Sequence, residues 1–122
     1  MPDAQQPATL ETVRNTAAIA ANARQTEFNL YNAARAAGNL AGLNAHYQGY
    51  QTALGVEQKA NEVLVQQIVD SASLQNDLQM LAEANAQLSA TAAQLAADST
   101  ALNLFTQAAG AVVTVLSAIA VL

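Results

Sequence analysis

A leucine recurs at every seventh residue through Leu74, Leu81, Leu88, Leu95 and Leu102, and Leu78, Asn85, Ala92 and Ser99 each follow one of them by four. Steps that alternate three and four are the period of a packed helical seam. One row of this seam is apolar and its companion row is small or polar. The asymmetry favours close Ala/Ser-mediated helix packing, with Asn85 fixing register, over a two-stranded leucine zipper. A core-facing stripe in a monomeric hairpin fits the same residues equally well.

Composition points the same way. In 122 residues the apolar class reaches 52% while aromatics are only 4% and Trp is absent, so the apolar content is mostly alanine and aliphatic side chains. Alanine alone is about a quarter of the chain and has the highest helix propensity. The length suits one domain. Residues 1–8, with Pro2 and Pro7, read as a flexible polar arm, after which Thr9 can cap a helix. From Leu10 to Ala37 no Gly or Pro intervenes, and Leu10, Val13, Ala17, Ala20, Arg24, Phe28 and Tyr31 share one face.

Gly38, Gly42, Gly49 and Gly55 then crowd a short stretch that reads either as a glycine-rich interhelix loop or as a continuous or kinked helix. For the second alternative, Ala33, Ala36, Leu40, Leu43, Tyr47, Tyr50 and Leu54 keep the helical-seam period straight through the glycines. Glu57 to Asp98 lacks Gly and Pro and is expected to form one helix of roughly 60 Å. The expected fold is therefore all-α, an elongated helical hairpin of two long helices over residues 9–98, followed by an apolar C-terminal helix over 99–122.

That last segment is free of charge. It ends in AVVTVLSAIAVL, whose apolar side chains include Val112, Val113, Val115, Leu116, Ile119, Val121 and Leu122. At about 22 residues from Ala101, a helix of roughly 33 Å could just cross a bilayer. Asn103, Thr106 and Gln107 weaken that pattern, and neither flanking Lys or Arg nor an aromatic belt supports it. Burial in an interface with neighbouring copies is the preferred expectation, ahead of membrane contact and of an intrachain core.

Charge narrows the function classes. Up to Lys59 the bases Arg14, Arg24, Arg35 and Lys59 balance Asp3, Glu11, Glu27 and Glu57, whereas Glu62, Asp70, Asp77, Glu83 and Asp98 follow with no base and carry the net charge of −5. Without a Lys/Arg stripe, nucleic-acid binding is not expected. In an array of copies these five carboxylates would meet the arginines of a neighbour or repel one another, which makes them candidates for a pH-sensitive assembly. Cysteine is absent, and His46, the one histidine, has no metal-ligand spacing around it and reads as a surface or interface residue. Glu57 and Glu62 are badly spaced for an acid/base pair and no phosphate-binding glycine motif occurs. Enzymatic activity, a metal and a cofactor are not expected. No secretory signal is visible in the first residues, so a cytoplasmic location, as an assembly, is the expectation.

Asn29-Leu30-Tyr31-Asn32-Ala33, followed by Asn44-Ala45 and then Gln48 and Gln51, resembles the R-body (RebB-type, "killing trait") family, small Ala/Gln-rich bacterial proteins with a Leu-Tyr pair, an Asn-Ala step and a glutamine cluster in this order. The resemblance implies a subunit that polymerises into a coiled ribbon, with acidification driving extension and membrane rupture. Leu40 to Asn44 is loosely similar to granule-coating phasins. The expected function is thus a self-assembling structural subunit, a homo-oligomer or polymer that could include paralogous subunits. Its expected seams are Leu40, Leu43, Tyr47, Tyr50 and Leu54, and Leu74, Leu81, Leu88, Leu95 and Leu102. The alternative is a membrane-active protein, pore-forming or lipid-surface binding, that uses the apolar tail.

Overall fold

A computed structural model describes residues 10–66, 68–95 and 99–122, and the expectations for the arm 1–8, for Thr9 as a cap and for Asp98 lie outside them. The described residues form four helices, α1 (Glu11–Ala37), α2 (Leu40–Leu64), α3 (Ala72–Ala92) and α4 (Ser99–Ala120). α1 packs on α2, α2 on α4, α4 on α3 and, most sparsely, α3 on α1, so the four close a ring.

Gly38 decides the first turn. Its left-handed backbone, φ 69°, lets its own amide donate to the Arg35 carbonyl at 3.2 Å and the Asn39 amide donate to that of Ala34 at 2.9 Å. Asn39 then caps α2, its side-chain oxygen accepting from the Gly42 amide at 3.1 Å. Gly42, Gly49 and Gly55 continue within α2. Both readings of the glycine-rich stretch are thus partly met, because the helix stops at one glycine and runs through three.

The single helix expected over Glu57 to Asp98 is not present. α2 ends at Leu64, and α3 starts anew behind Ser71, whose hydroxyl accepts from the Leu74 amide at 3.0 Å. β-Branched Val63, Val65, Ile68 and Val69 weaken the helix at this point, and Ser71 restarts it. The described residues therefore form a ring of four helices in place of a hairpin of two, and the leucine row is divided between α3, its C-terminal turn and α4.

Each helix buries one stripe with three-four spacing. The stripes are Val13, Thr16, Ala20, Ala23 and Glu27 in α1, and Gly49, Ala53, Val56, Ala60 and Val63 in α2. Leu74, Leu78, Leu81, Asn85 and Leu88 form that of α3, and Ala101, Phe105, Ala108, Val112, Val115 and Ile119 that of α4. The first two stripes are small and the last two bulky, so α3 and α4 supply most of the core volume. Asn85 does fix a register, but within the chain: its carboxamide oxygen lies 2.7 Å from the Thr16 hydroxyl and its NH2 donates to the Thr12 carbonyl at 3.1 Å. Replacing the fully buried Leu81 by Ala should cost about 2–5 kcal/mol. Urea unfolding followed by circular dichroism checks this, and a loss under about 1 kcal/mol would mean that α3 does not seat in a packed core.

Candidate interaction surface

The helices are offset along the bundle. Asn85 of α3 is level with Thr12 and Thr16 of α1, and Ala92 and Ala93, where α3 ends, line one groove with Ala23 and Thr26. α1 continues for almost three more turns to Ala37, and α2 returns beside it. Among the described residues no third layer packs on this two-helix tip. Beyond Glu27 and Gly49 only Ala34 is buried in it.

The tip gathers all three tyrosines and Phe28. The Phe28 and Tyr50 rings stand 6.0 Å apart, as do those of Tyr31 and Tyr47, clasping α1 to α2 on the outside. Phe28, Leu40 and Tyr47 remain 46%, 73% and 49% exposed, while Leu43, Tyr50 and Leu54 are half-buried. The α2 row expected as a seam is therefore distinct from the stripe that α2 turns to the core. Asn29, Asn32, Asn44, Gln48 and Gln51 are exposed around it.

At the foot of the tip lies a carboxylate that the sequence did not single out. Glu27 sits on the buried stripe of α1 and is wholly inaccessible. One oxygen shares a hydrogen bond of 2.8 Å with His46 Nδ1, and the other is buried without a partner among the described residues. Gly49 makes room for it, since a Cβ there would lie 2.5 Å from the Glu27 carboxylate. Burial pushes the Glu27 carboxyl above its ordinary value, and the bond to His46 draws it partly back. Next to it Arg24 donates to Glu57 at 2.6 Å across α1 and α2, which raises the already high arginine value further.

The other expected site residues are dispersed. Leu74, Leu81, Leu88 and Leu95 are buried and Leu102 half-buried within the chain. Val112, Val115, Leu116 and Ile119 are also core residues, so the expectation that the tail buries itself against neighbouring copies is corrected for these four: α2 and α3 already cover them. Val113 is half-buried, and Val121 and Leu122 are exposed. α4 includes a helix long and apolar enough to cross a membrane, Ala101–Ala120. Glu62 pairs with Lys59 at 3.4 Å, Asp70 accepts from Gln75 at 2.7 Å, and Asp77 and Glu83 have no basic partner among the described residues. Of the arginines expected to meet a neighbour's carboxylates, Arg14 is used by Glu11 and Arg24 by Glu57, leaving Arg35 on the tip unpaired among the described residues. Between α1 and α3 runs an open groove lined by Asn15, Ile19, Asn22, Asn85 and Ser89. No group of three or more His, Asp or Glu that could hold a metal occurs among the described residues. Compared with protein families, with curated proteins and with solved structures, the chain matches none.

Two outcomes test this geometry. Gly49→Ala should destabilise the protein by about 1–3 kcal/mol through overlap with Glu27, and in a Glu27→Ala background the same change should be neutral or stabilising, because alanine is the better helix former. Equilibrium unfolding of the four proteins of this cycle reads the coupling. The second concerns pH. The native chain holds the Glu27 proton more tightly than the unfolded chain, so stability is lost as pH rises from the ordinary value of 4.5 through the raised native one. Glu27→Gln keeps the shape of the neutral acid and should match the wild type near pH 4.5 but exceed it at pH 8. A Gln variant that is the less stable one at pH 8 would contradict the burial assignment.

Proposed function

We propose that this protein is a structural subunit that assembles with copies of itself, and that the α1/α2 tip is where it does so. The observation that carries this is the exposure of Phe28, Leu40 and Tyr47 together on a two-helix projection that no other described helix covers. Large apolar side chains that a fold leaves clustered at its surface mark interaction sites. Tip aromatics supply area and orientation at little entropic cost, and the exposed amides of Asn29, Asn32, Asn44, Gln48 and Gln51 supply hydrogen bonds around them. The residues that resemble the R-body family fall on this same tip, which favours a ribbon or filament as the product. An acid-driven change of form belongs to the same proposal. Asp70, Asp77 and Glu83, exposed or half-buried and without an ion pair among the described residues, are its candidate carboxylates.

A membrane-active function is the second reading, and the length and apolar character of Ala101–Ala120 favour it. It requires α4 to leave the bundle, since Phe105, Val112, Leu116 and Ile119 are fully buried there. Dye leakage from liposomes, together with negative-stain microscopy of the full chain at pH 7 and pH 5, separates the two.

The assembly reading expects regular polymers whose sedimentation grows with concentration. A Leu40→Ser, Tyr47→Ser variant should keep its helix content and lose at least tenfold in association. Monodisperse small particles at every concentration would overturn the reading, and leakage by such particles would establish the second.

A further inference from the structure

The exposed large apolar side chains are divided between the two ends of the molecule. At the tip stand Phe28, Leu40 and Tyr47, and at the opposite end, where α2 turns into α3 and α4 finishes, stand Val65 at 82% exposure, Val69 at 45%, Val121 and Leu122. Charge is divided in the same way. The exposed ion of the tip is Arg35, unpaired among the described residues, whereas the far end carries, beside the mutually paired Arg14 and Glu11 and Lys59 and Glu62, the acids Asp70 and Asp77 with no basic partner among the described residues.

The offset explains why both ends are left open. α1 and α2 outrun α3 and α4 at the tip, and the first three turns of α3, from Leu74 to Asn85, extend past Thr12 at the other end. Each end is an apolar patch with a charge of the sign opposite to the other's. Two tips brought together would set Arg35 against Arg35, and two far ends would set acid against acid; tip against far end is the one pairing that is attractive.

We infer that copies of this chain join tip to far end, Leu40 and Tyr47 of one meeting Val65 and Val69 of the next, with Arg35 facing Asp70 and Asp77. This rests on the self-assembly reading and specifies its geometry. A contact between two different patches is heterologous, and when its rotation does not close a ring it propagates into an open filament. Such a chain is polar, with a free tip at one end and a free far end at the other.

Complementation of two blocked chains tests it. Leu40→Glu on the tip and Val65→Glu on the far end each place an acid in an apolar patch at an exposed position, so that the two blocked ends repel each other, with circular dichroism confirming that each variant keeps its helices. In sedimentation velocity each variant alone should be monomeric at concentrations where the wild type is polymeric. An equimolar mixture should form a one-to-one dimer and nothing longer, because only one intact tip meets one intact far end. If Val65→Glu alone still dimerises and mixing changes nothing, the contact is tip to tip and the inference is overturned while self-assembly stands. A wild type that is monomeric throughout would overturn both.

Discussion

The packing of α1 on α2 through small side chains is what the rest of the molecule depends on. Ala20, Ala23, Ala53, Ala60 and Gly49 let the two backbones approach closely, but they bury little apolar area at roughly 25 cal/mol per Å2. A hairpin built this way cannot make a core by itself. The leucines of α3 and the Phe, Val, Leu and Ile of α4 supply the missing volume, which is why the apolar C-terminal segment lies inside the fold. Where α3 and α4 stop, the hairpin continues without that support and carries the aromatic rings on its surface.

Polar groups set the alignment that apolar packing leaves loose. Asn85 reaching Thr12 and Thr16 pins α3 against α1, and Arg24 with Glu57 pins α1 against α2. Glu27 is of another kind. A buried carboxyl with one oxygen unsatisfied among the described residues costs stability unless it is neutral or paired, and under the tip it is held by His46. The Gly49 notch shows that the sequence accommodates this acid, since any larger side chain would displace it.

Much of the helical pattern was legible in the sequence, and the reasons for the failures are local. The leucine row of α3 and the role of Asn85 as a register residue followed from three-four spacing. The break between α2 and α3 was missed because it contains neither Gly nor Pro; a cluster of β-branched residues and a capping serine at Ser71 do the work there. Arg24 was placed on the apolar face of α1, whereas the buried stripe runs one position over, through Ala23 and Glu27. With alanine common on every side of the helix, the apolar face is poorly marked. Glu27 went unnoticed for that reason, and its partners His46 and Gly49, on another helix, come to it only through the fold.

The central claim is that the uncovered α1/α2 tip is a surface this protein uses on its own copies. Hydrogen exchange read by mass spectrometry at low and high protein concentration tests it most directly. Self-association through the tip predicts that amides of peptides spanning residues 28–50 slow markedly at high concentration while those of residues 101–116 do not change. Equal exchange of the tip at both concentrations, with larger assemblies demonstrably present at the higher, would contradict it.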